Sequence, residues 1–176
     1  MSITKRKNVG FYVIFGLIAT LAYSNVNAAT NMIFTGTLTV PNCTVNDGNQ
    51  ITVPFNNIEI SSLTAKDQAF HDKDFEIKVN CPAMNGTPKI QVTADSHSAS
   101  NGTIKTNKYT EGLVVYLRKA DDLKAIALGQ KVDISTNFDT TTSKLKLNAA
   151  VGRVKELSDL TPGSFTATST IEMIYE

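Results

Sequence analysis

Residues 163–176, GSFTATSTIEMIYE, decide how this chain is read. Phe165, Ala167, Ile171, Met173 and Tyr175 all fall at odd positions, so in an extended backbone they share one face, while Thr166, Thr168, Thr170 and Glu172 point the other way. The spacing predicts one long strand from Gly163 to Glu176 with an apolar face that needs a cover. A strand at a sheet edge also presents a row of unpaired N–H and C=O groups, so the cover comes either from earlier strands or from another chain.

At the other end, Lys5, Arg6 and Lys7 precede an almost uninterrupted apolar run from Val9 to Ala22, and Val26-Asn27-Ala28 places small residues where a signal peptidase reads. The run is about fourteen residues, short of the ~20 that a membrane-spanning helix needs. Residues 1–28 therefore read as a secretory signal peptide, and the mature chain is expected to begin at Ala29 as one domain. That segment carries three of the seventeen basic residues and none of the sixteen acidic ones, so without it the balance turns slightly acidic. No basic face for nucleic acid is implied.

Cys43 and Cys81 both remain after cleavage, and export to an oxidising compartment predicts a bridge between them. A zinc site is not expected from two thiols and two scattered histidines, and no metal or cofactor is implied.

Between the two ends the chain alternates nearly everywhere. Met32, Phe34, Gly36, Leu38 and Val40 share one parity; Ile51, Val53 and Phe55 follow a turn-rich NDGNQ; Phe75, Ile77, Val79 and Cys81 alternate with Glu76, Lys78 and Asn80. Further runs follow at Ile90–Ala94, Leu113–Leu117, Ile126–Leu128, Val132–Ile134 and Leu145–Val151, each bounded by Gly, Asn, Asp, Ser or Pro. Short strands with turns between them predict an all-β sandwich. Ile60 to Asp72 is the one stretch expected to form a short helical turn or a long loop. Gly36 interrupts the apolar face of the first run, which suits a place where another backbone or a bulky side chain approaches closely.

These features together resemble the pilins of the bacterial chaperone-usher pathway. The resemblance rests on a short alternating arm with a central glycine, a first cysteine in VPNCTVN and a second closing FEIKVNC. A GLVVYL strand follows, then a terminal strand with Tyr175 penultimate and Gly163 fourteenth from the end. Within that family, FTGTLTVPNCTVNDGNQITV and TSTIEMIYE are most similar to the minor tip adaptor subunits of P-type pili.

The resemblance implies an incomplete immunoglobulin-like β-sandwich of six strands with one disulfide, its seventh strand supplied in trans. Residues 29–41 would be an N-terminal donor-strand extension and 42–176 the pilin domain. Met32, Phe34, Gly36 and Leu38 would enter a neighbour, while Gly163, Phe165, Ala167, Ile171, Met173, Tyr175 and Glu176 would form the acceptor groove and chaperone contact. The implied partners are a periplasmic pilus chaperone, an outer-membrane usher and neighbouring pilus subunits including the tip adhesin, with no nucleic acid. The implied location is the surface fimbrium of a Gram-negative bacterium, reached through the periplasm. Asn56 and Asn57 depart from a glycine common in the family, and Glu176 sets a second carboxylate beside the terminal one.

Two other classes are weaker. An enzyme would have to use His71 in FHDKD, His97 in DSHSAS or the pair Asp121-Asp122, and none has a nucleophile elbow or catalytic carboxylate spacing around it. A carbohydrate-binding adhesin of this family would carry a lectin domain first, and only about fourteen mature residues precede Cys43.

Overall fold

The computed structural model describes residues 30–39 and 41–176, so the expected signal peptide, residues 1–28, lies outside the described residues. The described residues fall into two units, 30–37 and 38–176. In the first, residues 30–37 form no helix or strand, and Met32, Ile33 and Phe34 are exposed.

The second unit is built from ten strands: β1 (Thr44–Val45), β2 (Gln68–Asn80), β3 (Pro88–Ala94), β4 (Ser96–Ser98), β5 (Thr103–Lys105), β6 (Leu113–Lys119), β7 (Lys131–Asp133), β8 (Phe138–Asp139), β9 (Lys144–Arg153) and β10 (Ser169–Tyr175). One sheet runs β1-β2-β9-β6-β5-β4, with β8 also on β9, and the other runs β10-β3-β7. Every strand pairing is antiparallel. Five of the ten, β1, β4, β5, β7 and β8, are only two or three residues long, and the two antiparallel sheets agree with the incomplete immunoglobulin-like sandwich expected.

Alternation does what it predicts in β2, where Ile77 and Val79 are buried while Glu76 and Lys78 face out, paired with Lys144 and Asp47 respectively. Ile77 and Val79 meet Ile90, Val92, Leu117, Leu145, Leu147 and Met173 in the larger core cluster. A smaller cluster of Leu63, Leu113, Val151 and Leu160 lies beside it. Central strand β9 is covered on its outer face too: Asn148 donates to Asp74 at 2.7 Å and accepts from Arg118 at 2.8 Å, so its buried amide is satisfied by both neighbouring strands. Arg153, also buried, donates to the carbonyls of Leu63, Thr64 and Lys155 and so ties the loop before β2 to the end of β9.

Several expected elements differ. Ile60 to Asp72 holds one 3-10 turn at Ile60–Ser62, and then β2 starts at Gln68. A bulge between Phe70 and Lys73, with His71 at φ 57°, shifts the register, so the inward residues change parity and the strand loses its period in the sequence. Ile51, Val53 and Phe55 form no strand, and neither do Ile126 and Leu128; Ile51, Phe55, Ile126 and Leu128 pack on the core without joining a ladder, and Val53 is half-buried. The alternating run at Met32–Leu38 is likewise without a strand.

Cys43 and Cys81 are joined, extending by one step the pairing in which Thr44 faces Asn80. The bridge staples the two-residue β1 to the long β2 and closes a loop with a sequence separation of 38. Replacing both cysteines by serine is expected to lower the unfolding free energy by about 4 kcal/mol, measured by urea unfolding under non-reducing conditions. A change below about 1 kcal/mol would show that β1 holds without it.

Candidate functional site: an open groove between two sheet edges

A groove of about 1860 Å³ opens between the sheets. Its position follows from the strand order, because β1 ends one sheet, β10 ends the other, and among the described residues no strand joins them. The floor is the core itself: Phe75 and Ile77 of β2, Val92 of β3, Val115 and Leu117 of β6, and Leu147 and Val151 of β9. One rim is Cys43–Val45 followed by residues 49–60, which form no strand, and the other is the stretch from Pro162 to Ile174. Phe55 and Phe165, one from each rim, have ring centroids 6.1 Å apart.

The second rim does not match the single long strand expected from Gly163 to Glu176. The ladder with β3 covers Ser169 to Tyr175 only, because β3 ends at Ala94 and the chain then crosses to β4 of the other sheet. Gly163 lies in a bend and residues 164–168 belong to no strand. They are held instead from the loop after β5: the Thr166 N–H donates to Asn107 Oδ1 and the Asn107 N–H to the Thr166 carbonyl, both at 2.9 Å. Lys108 Nζ donates to the carbonyl and hydroxyl of Thr161 at 3.0 Å, and to Glu111. Glu111 in turn accepts from the Thr161 N–H and hydroxyl at 2.9 Å. The Thr161 N–H first, then Lys108 and the Thr161 hydroxyl, hold the Glu111 carboxyl down to about 2.

Gly163, Phe165, Ala167, Ile171 and Met173 line the groove. Met173, 2% exposed, belongs to floor and core at once, whereas Ala167 is exposed on the rim. Gly163 sits at φ 145°, and a Cβ there would stand 3.3 Å from Lys108 Cε. Tyr175 and Glu176 are not part of the lining. Tyr175 packs against the larger core cluster with a buried hydroxyl that has no partner among the described residues, and burial raises its pKa. The Glu176 side chain bonds to Lys131 and Lys89, and those contacts hold its carboxyl below the usual range. Of the expected donor residues, Met32, Phe34 and Leu38 are exposed.

Periodicity singled out the alternating apolar residues of the rim but gave no sign of Asn107, Lys108 and Glu111, which are ordinary polar loop residues in the sequence. Only the mismatch between a fourteen-residue strand and its shorter neighbour around Ile90–Ala94 signals that something else must hold the surplus.

The histidines have structural partners. Ser62 Oγ lies 2.6 Å from the Glu59 carbonyl, to which it donates, and 2.6 Å from His71 Nε2, so its proton is already engaged; His97 Nδ1 meets the Tyr109 hydroxyl at 2.9 Å.

The family described as "Fimbrial protein" matches residues 32–176. The chain is 31% identical to the fimbrial protein PrsE of Escherichia coli, over 89% of this chain and 91% of that one. It is 26% identical to the fimbrial adapter PapF of Escherichia coli, over 80% and 84%. Among solved structures, the P pilus rod subunit PapA superposes with a TM-score of 0.60 at 21% identity, covering 83% of this chain and all of that one. The adaptor subunit PapF gives 0.53 at 22%, covering 78% and 98%.

Because the folded state holds Glu111 ionised down to about 2, its contribution to stability is present in full above the ordinary carboxylate value of 4.5 and is lost as pH falls through the folded value. Glu111→Gln should therefore be less stable than the parent at pH 7, with the gap in urea midpoint narrowing below pH 4.5 and closing near pH 2. A gap that stays constant with pH would show that the carboxylate is not ionised in the Thr161–Lys108 contact.

Proposed function

Because the chain belongs to the fimbrial protein family, we propose that its groove is an acceptor filled by an extended strand from another chain, first a periplasmic chaperone and then a neighbouring subunit delivered at an outer-membrane usher. The protein is a minor structural subunit of a chaperone-usher fimbria. The observation that supports the acceptor reading is the groove itself, with apolar core for a floor and one free sheet edge on either side.

The physics of such a site is β-augmentation. An incoming strand pairs its backbone with the free edges while alternate side chains enter the floor, so the backbone supplies affinity and the side chains supply specificity. Residues 29–41 are the matching donor for the next chain, with Met32, Phe34 and Leu38 as anchors and Gly36 where the backbones come closest. Gly163, Phe165, Ala167, Ile171 and Met173 act as the acceptor, with Tyr175 packing beneath its edge and Glu176 at its end. Donor and acceptor lie at opposite ends of one sequence, so assembly is head-to-tail and open, and it builds a fibre. An unfilled groove leaves apolar surface and an edge exposed together, which makes a chaperone necessary and leaves polymerisation to be driven by better packing. No catalytic or sugar-binding role is proposed.

Its place in the fibre is proposed to be that of a tip adaptor between adhesin and next subunit, supported by the similarity to PapF. A second reading is a position elsewhere in the fibre, as a shaft, terminator or anchor subunit; the relative of higher identity, PrsE, is described only as a fimbrial protein. A peptide of residues 29–40 separates the two. In the adaptor it should enter the pilin-domain groove of an adhesin at least about tenfold faster than the grooves of other subunits, and equal rates would remove the adaptor assignment.

Division of labour gives a second expectation. Gly36→Leu should block insertion into the neighbour while leaving capture of this subunit by its chaperone unchanged. Met173→Asp should abolish capture and leave the donor arm competent when supplied as a peptide. Co-purification with the chaperone and peptide exchange measure the two, and equal damage to capture by both substitutions would refute the assignment of donor and acceptor.

A further inference from the structure

Residues 163–168 form the half of the groove rim that lies beyond the end of β3, and the hydrogen bonds around them carry information about which backbone groups stay free. In an extended chain, successive residues turn their peptide groups toward opposite edges, and in an antiparallel pair only alternate residues exchange bonds with the partner strand. At the end of β10, Glu176 exchanges both bonds with Thr87, at 3.2 Å and 2.7 Å. The β3–β10 register continues that pairing, so even-numbered residues of β10 bond to β3 and the odd-numbered ones, 169 to 175, turn their N–H and C=O groups to the open edge. Pro88, with no N–H to give, faces Tyr175 at one of the positions where none is needed.

β3 stops at Ala94, opposite Ser169. Three residues further from the C-terminus, Thr166 exchanges both of its bonds with a single residue, Asn107, whose backbone N–H and side-chain Oδ1 stand in for the N–H and C=O of a strand partner. Thr166 is even-numbered. Asn107 therefore continues the parity that β3 imposes, across the place where β3 is missing. Thr106, whose buried hydroxyl accepts from the Lys108 N–H and donates to the Leu113 carbonyl, fixes the turn that presents Asn107.

We propose that Asn107 is a positioning residue for strand capture: as a surrogate strand partner, it keeps the peptide groups of Phe165 and Ala167 turned to the open edge, so that the acceptor edge runs in one register from Phe165 to Tyr175. The inference rests on the acceptor reading of the groove. It assigns to one loop residue the usable length of the edge, which runs from Phe165 to Tyr175 where β3 alone supports Ser169 to Tyr175.

The test uses backbone amide hydrogen exchange of the purified chain as readout and, as probe at saturating concentration, whichever synthetic peptide binds best among the N-terminal arms of candidate neighbouring subunits and residues 29–40 of this chain. In the parent protein the peptide should slow exchange at Phe165, Ala167, Ile171 and Met173. In Asn107→Ala, protection at Phe165 and Ala167 should fall by about fivefold, the effect of one lost hydrogen bond, while protection at Ile171 and Met173 remains. Asn107→Asp, which keeps the acceptor oxygen, should restore it. A residue with only a general structural role would change all four amides together. Parent-like protection at Phe165 and Ala167 in Asn107→Ala, or equal loss at all four, overturns the proposal while leaving the acceptor reading in place. Absence of protection at every one of these amides in the parent overturns the acceptor reading, and this inference with it.

Discussion

Two sheet edges lie on either side of one strip of apolar core, and among the described residues no strand joins them. Most other features of the domain are consequences of that gap. β1 is two residues long and is stapled to β2 by the disulfide next to it. The rim after it, residues 49–60, holds its shape through Ile51 and Phe55 packed on the core and not through a ladder. The opposite rim has a strand partner for only part of its length, and polar loop residues hold the remainder. The interior that does close is unusually thorough in compensation: β9 is covered on both faces, and its buried polar side chains Asn148 and Arg153 are satisfied by named partners.

How far the fold was legible depended on whether apolar burial and ladder pairing coincide. In β2 from Phe75 onward, and in β3, β6 and β9, they do, and a period of two located each strand. They part at Ile51–Phe55, which turns side chains to the core without a ladder, and at Ile126–Leu128, whose N–H groups reach the Leu117 and Ala99 carbonyls singly without forming a strand, so alternation signalled burial and was read as strand. They part in the opposite sense at Gln68–Lys73, where the bulge with His71 at positive φ breaks the period within a real strand. Pattern reports which side chains point inward; it is silent about which backbone groups find a partner, since that is settled by residues far away in sequence.

The groove divides in the same way. Its apolar lining at Phe165, Ile171 and Met173 was visible from parity alone, and the disulfide from the oxidising compartment expected of a secreted chain. Asn107, Lys108 and Glu111 were not, because a polar loop residue looks the same whether it is solvated or bonded to a rim. Tyr175 shows the limit of reading position as contact: it shares parity with the lining residues yet packs against the core beside the groove without lining it.

Met173 belongs both to the buried core and to the groove floor, and on the proposed acceptor reading that overlap makes folding and binding a single equilibrium. For a protein of this kind the free-energy gain from a bound strand is added to the stability of the native state by mass action, growing with the logarithm of strand concentration over its dissociation constant. A strand tethered within a fibre is present at an effective concentration set by its linkage and not by bulk solution. On that reading the same amino-acid sequence has no single melting temperature: its thermal resistance is a property of its company, lower when solitary and higher when enchained.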